Sequence, residues 1–165
     1  MRQLLIFCVL FFLSIAQTNR PEDVASIDGI INAYYEVVSR PAGQLPDRAR
    51  DKWIHHPNAL VQIVRHQAGG KSSVQTMSID QYHDNQTAEH GFFEYEIHRI
   101  TEQFGSVVHV WSTYAYSSIK NGPVEGRGIN SIQLFNDGKR WWVMSWIYDE
   151  ETGNNPIPAD YLKIR

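Results

Sequence analysis

Two long runs of aromatic and β-branched residues, Arg127 to Phe135 and Arg140 to Tyr148, lie on either side of Asn136-Asp137-Gly138. An Asp-Gly step between such runs is a strong hairpin signal, because residues that tolerate positive φ match the twist of the strands they join. With a two-residue turn, Asn136 faces Lys139 and each further pair keeps that register. One face then carries Asn130, Ile132 and Leu134 beside Trp141, Val143, Ser145 and Ile147. The opposite face carries Ser131, Gln133 and Phe135 beside Arg140, Trp142, Met144, Trp146 and Tyr148. A sheet with one wet side shows polar residues there. Here both sides are apolar, so both need cover.

The rest of the chain supplies one of the two covers. Val24, Ile27, Ile30, Ile31, Tyr34, Tyr35 and Val38 recur at helical spacing between Pro21 and Pro41. A short charged helix opens at Pro46-Asp47 and ends near Trp53. Asn58 to His66 and Ser72 to Met77 read as strands around the turn Ala68-Gly69-Gly70-Lys71. Ser78 and Gln81 have capping-box spacing, which predicts a third helix to about Asn85. Phe92 to Phe104 and Val107 to Ile119 complete a set of consecutive strands with tight turns. The expectation is therefore α+β: a largely antiparallel sheet packed on three N-terminal helices.

The first residues carry a different message. Arg2 precedes an apolar run from Leu4 to Ala16 that ends in Ser14-Ile15-Ala16, after which Gln17 opens a polar segment. That pattern predicts a signal peptide over 1–16, an exported (periplasmic or secreted) protein, and a single domain over 17–165. The single cysteine, Cys8, falls within the signal, so the exported chain has no thiol for a disulfide, a zinc site or a nucleophile. A net charge of −3 and the absence of Lys/Arg clusters argue against nucleic acid and, after cleavage, membrane as partners. The histidines show no metal-ligand spacing, so no metal and no cofactor is expected.

Several passages together resemble a known family. They are Tyr34-Tyr35 on the first helix, Trp53-Ile54-His55-His56-Pro57-Asn58-Ala59 at a helix-to-strand junction, and Gly91-Phe92-Phe93-Glu94. With them stand Val110 to Tyr114, Gly126 to Leu134 and Arg140 to Val143. In order and spacing this is similar to the nuclear transport factor 2-like superfamily, SnoaL-like members included, over roughly Glu22 to Glu150. The resemblance implies a curved mixed sheet wrapped as a cone over three helices, a pocket open at one end, and often a dimer through the outer sheet face. Its members include isomerases, cyclases, dehydratases and non-catalytic binding domains, so the fold does not select a function.

Alternation places the candidate residues. On the strand from Phe92, the apolar set Phe93, Tyr95 and Ile97 is expected inside, with Glu94, Glu96 and His98 outside, unless a slip or bulge reverses the faces. On the next, Val108, Val110, Ser112 and Tyr114 form the inner set. The expected pocket is thus Tyr34, Tyr35, Trp53, Tyr95, Ser112, Tyr114, Asn130, Trp141 and Ser145, neutral hydroxyls and an amide among aromatic walls. Such a lining orients a small hydrophobic ligand and offers no evident general base. Asp149 and Glu150 end the last strand, where they could reach the mouth of the cone. On the outer face, Trp111, Phe135, Trp142, Met144 and Trp146 are expected at a homodimer interface, with a covering C-terminal tail as the alternative. The functional expectation is an exported binding domain without catalysis. An isomerase, cyclase or dehydratase on a small hydrophobic substrate, and an interaction module with a filled core, are the alternatives.

Overall fold

The computed structural model describes residues 19–163, so the segment read as a signal peptide lies outside the described residues. Helices α1 (Glu22–Ala25), α2 (Ile27–Val38) and α3 (Arg48–Ile54) come first, followed by strands β1 (His55–His66) and β2 (Ser72–Ser78) and helix α4 (Ile79–Asp84). Strands β3 (Phe93–Phe104), β4 (Val107–Ser117), β5 (Gly126–Asn136) and β6 (Trp141–Glu150) complete the sheet, and a 3-10 turn spans Ala159–Tyr161. The first helical stretch is two helices rather than one. Ser26 adopts extended backbone and caps α2, its side chain accepting from Gly29 N–H at 3.0 Å. The capping box expected at Ser78 and Gln81 is present in both halves.

The sheet has six strands in the order β2-β1-β6-β5-β4-β3. Its one parallel pairing, β1 with β6, lies between antiparallel neighbours, so the sheet is mixed and the class is α+β. The helices pack into the concave side, where Ile30, Ile31, Ile54, Val61, Val108, Val110, Ile132, Leu134 and Val143 form a fully buried core. Arg50 fixes the helices to one another through two bonds to Asp23, 2.7 and 2.8 Å, both side chains being buried. A buried charge of this kind needs such a bidentate partner.

Two departures from simple alternation shape the molecule. The β5–β6 turn holds four residues, not two: Asn136 pairs with Trp141, while the Asp137 carboxylate accepts the Lys139 and Arg140 amides. A two-residue shift preserves the faces, so Trp141 and Val143 point inward as expected. Further along, Gln133 pairs with Ser145 and Leu134 with Val143, leaving Met144 as an extra residue. This bulge turns the remainder of β6 over. In the same way Glu96 pairs with Tyr114 and His98 with Thr113, leaving Ile97 unpaired on β3. Both bulges lie within their strands, one on the edge strand β3 and one on the interior strand β6, and accompany the sheet's bend into a cone.

The outer face is divided. After β6 the chain crosses it, bringing Tyr161 to 6.1 Å from Trp111 ring to ring, and the Lys163 carbonyl meets His98 Nδ1 at 2.6 Å. Trp111 is thus partly covered by the tail. At the hairpin end, Phe104, Val107, Phe135 and Trp142 fall in one register row. Phe104 is 92% exposed, Val107 58% and Phe135 37%.

Candidate functional site

The open end of the cone holds a cavity of about 260 Å³. Its wall is aromatic: Tyr34 from α2, Tyr82 from α4, Tyr114 and Tyr116 from β4, Trp146 and Tyr148 from β6, with Phe92 just before β3. The bulge at Met144 puts Trp146 and Tyr148 there. Trp146 packs edge-on against Tyr34 and Tyr82, and its indole N–H donates to His55 Nε2 at 3.1 Å. His55 in turn sets its other ring nitrogen 2.8 Å from the Asp51 carbonyl, which fixes the Nδ1–H tautomer. Asp51 also takes His83 Nε2 at 2.8 Å. One wall of the cavity is therefore hung from a buried polar network.

The bulge at Ile97 turns Glu94 into the same space, beside Asn130. Removal from water pushes the Glu94 carboxyl up to about 8; the neighbouring Asn130 amide opposes this and the Glu150 charge adds to it. Glu94 is accordingly a carboxylic acid at neutral pH, able to donate as well as accept. Burial also raises the phenols of Tyr34, Tyr82 and Tyr114 well above their usual range, so they stay protonated. Arg65 and Glu150 stand at the rim.

Behind the wall runs a hydrogen-bonded chain. Tyr34 Oη donates to Asn130 Oδ1 at 3.3 Å, Asn130 Nδ2 donates to Tyr35 Oη at 3.3 Å, and Tyr35 Oη lies 2.6 Å from Ser112 Oγ. Ser112 then donates to Glu96. By contrast, the hydroxyls of Tyr82, Tyr114, Tyr116 and Tyr148 make no hydrogen bond to another described residue, although all four rings line the cavity.

Of the residues expected at a pocket, the fold brings Tyr34, Tyr114 and Asn130 to the cavity and Tyr35 and Ser112 immediately behind it. The others lie elsewhere. Tyr95 faces away and is 44% exposed, because the Ile97 bulge exchanges it with Glu94 and Glu96. Ser145 turns outward opposite Gln133 for the matching reason on β6. Trp141 is buried at the hairpin end of the core. Trp53 is outside the cone: the Arg140 guanidinium lies 4.0 Å from its ring and 3.7 Å from that of Trp142. Trp146, expected on the outer face, is inside and 5% exposed. Asp149 pairs with His66 at 2.6 Å on the surface, leaving Glu150 at the mouth. Glu94 is the functional group that alternation misplaced. Phe92, two residues before it on the same face, was the available signal.

Among the described residues no helix is long and apolar enough to cross a membrane, and no cluster of three metal-ligating side chains occurs. The architecture defines a cone-shaped α+β domain with an internal cavity. Solved structures place it further. A protein assigned as an aromatic ring hydroxylase from Novosphingobium aromaticivorans superposes with a TM-score of 0.56 at 15% identity, covering 83% of this chain and 94% of that one. The beta subunit of a protein assigned as an aromatic-ring-hydroxylating dioxygenase, from the same organism, gives 0.52 at 13% identity over 78% and 93%. An NTF2-like protein of unknown function from Shewanella baltica gives 0.50 at 15% identity over 75% and 90%. The chain thus has the nuclear transport factor 2-like fold. No family model and no curated protein matches it.

Proposed function

We propose that the cone binds a small, neutral, largely apolar molecule bearing at least one oxygen, and that Glu94 transfers a proton to or from it. The observation carrying this reading is Glu94 itself, a carboxyl held up to about 8 inside an aromatic cavity. A general acid or base works best when its pKa lies near the operating pH. The unpartnered Tyr82, Tyr114, Tyr116 and Tyr148 hydroxyls supply donors and acceptors for orienting an oxygenated ligand. Binding without chemistry is the second reading, favoured by the same hydroxyls if Glu94 serves only as a hydrogen-bond donor.

Screening cyclic ketones and phenols by thermal shift tests the site. Ligands should raise the Tm of the wild type and lose that effect in Tyr114→Phe and Glu94→Ala. Binders unaffected by both changes would place the ligand elsewhere. With a binder in hand, exchange of its acidic C–H in deuterated water separates the readings. Exchange lost in Glu94→Gln supports proton transfer; no exchange in the wild type leaves binding alone.

Export and self-association belong to the same proposal. The row Phe104, Val107, Phe135 and Trp142 offers an apolar surface of the kind that pairs with a second copy. Phe135→Asp should convert a sedimenting dimer to a monomer, and a monomeric wild type at micromolar concentration would refute the pairing. Secreted or periplasmic material should begin at Gln17 by intact mass.

A further inference from the structure

Asn130 presents a carbonyl on one side of its amide and two N–H bonds on the other, so its orientation decides what Glu94 meets. That orientation is dictated from outside the cavity. Glu96 shares the inward face of β3 with Glu94, its Oε2 lying 3.1 Å from Arg99 Nε and its Oε1 taking the Ser112 hydroxyl. A carboxylate only accepts, so Ser112 must donate to it. With its proton committed, Ser112 must accept from Tyr35 at 2.6 Å. Tyr35, its own proton committed, must accept from Asn130 Nδ2 at 3.3 Å. Asn130 Oδ1 is then left for the Tyr34 hydroxyl at 3.3 Å, and the remaining amide N–H is left for the cavity that Asn130 and Glu94 both line. Tyr35, Ser112 and Asn130 are 5%, 0% and 2% exposed, so bulk water does not compete for these atoms. The chain runs one way because an ion ends it.

We propose that Glu96 is a positioning residue for the cavity: acting through Ser112, Tyr35 and Asn130, it holds the Asn130 amide with an N–H toward Glu94. The proposal rests on the reading of Glu94 as the proton-handling group. Arg99, itself 3.0 Å from Asp28, helps keep Glu96 ionised against the burial that pushes its carboxyl upward. Replacing Glu96 by Gln supplies a side chain that both donates and accepts, so the direction of the chain is no longer fixed. Asn130 then presents its carbonyl to Glu94 for part of the time, which favours the protonated acid. Plain loss of a neighbouring negative charge would move Glu94 the other way. The sign of the change therefore separates the relay from direct repulsion.

The groups that share the cavity with Glu94 are Tyr34 from α2, Tyr82 from α4, Arg65 from β1, Tyr114 and Tyr116 from β4, Asn130 from β5, and Tyr148 and Glu150 from β6. Arg20, Tyr35, Glu36, Arg50, Glu96 and Lys120 share a second cleft with it, and of all these only Glu96 is altered in the test. In the full chain labelled with 13C-carboxyl glutamate, the Glu94 resonance, assigned by its loss in Glu94→Gln, is followed through pH in wild type, Glu96→Gln, Ser112→Ala and the double variant. Both single variants should raise the midpoint by about 0.5 pH unit or more, and the double variant by no more than the larger single effect. A midpoint that falls or stays fixed in the single variants, or additive shifts in the double, would overturn the relay. Should Glu96→Gln fail to fold, Ser112→Ala carries the same test with only one oxygen removed. A wild-type midpoint in the ordinary glutamate range would instead defeat the reading of Glu94 on which the relay stands.

Discussion

At the hairpin end of the sheet, β5 and β6 bring Ile132, Leu134, Trp141 and Val143 into a dry core. At the mouth the same two strands deliver Asn130, Trp146, Tyr148 and Glu150 around a cavity. Between the two ends lie Met144 and, three strands away, Ile97, the unpaired residues of the bulges. On the hairpin side the inward residues of β5 and β6 are apolar and alternate regularly. On the mouth side the inward set includes carboxyls, phenols and an amide, while Tyr95 is turned out. One extra residue per strand suffices to exchange the faces. A sheet can therefore keep a conventional core at one end and present chemistry at the other without a separate domain.

The largest expected effect breaks the core end. Ile132→Ala should cost about 2–5 kcal/mol in urea denaturation, equally at pH 5 and pH 8, because no titrating group is involved. Glu94→Gln should do the opposite at the mouth. The folded carboxyl titrates near 8, above the roughly 4.3 of an unfolded chain. The fold therefore binds the proton more tightly, and stability present below about pH 4.3 is lost as pH rises toward 8. The variant should equal the wild type at pH 4 and exceed it by on the order of 2–4 kcal/mol at pH 8, after allowance for partial exposure. A wild type whose stability does not fall across that window would contradict the account.

Smaller effects sharpen the contrast. Asn130→Leu leaves the Tyr34 and Tyr35 hydroxyls short of partners and should cost about 1–3 kcal/mol, with a matching loss of any ligand-induced rise in Tm. Phe104→Ser, on the exposed row of the outer face, should change monomer stability by less than about 0.5 kcal/mol.

The same division explains what could be read from the sequence. Patterning placed every strand within a few residues, identified the α2 core face, and gave the inward side of β4 and of the hairpin half of β6. It also led to Tyr34, Tyr114 and Asn130, since none lies beyond a bulge from the positions used to place it. The four-residue turn did no harm, because a shift of two keeps the faces. Tyr95, Ser145 and Trp146 were misplaced because Ile97 and Met144 carry no local signature: neither is a glycine, and each is an ordinary apolar residue within a strand-like segment. Trp53 was misassigned because an aromatic at a helix end can face either way. Its stacking on Arg140 depends on a residue 87 positions later in the chain. Glu94 was set aside because alternation sends charge outward, a rule that holds for cores and fails for cavities.

The Ile97 bulge turns Glu94 into an aromatic cavity that keeps it protonated. The carboxyl 13C resonance of Glu94 in the wild-type chain tests this most directly. The account predicts a single titration centred near pH 8; a midpoint between about 4 and 5 would show Glu94 in water and contradict it.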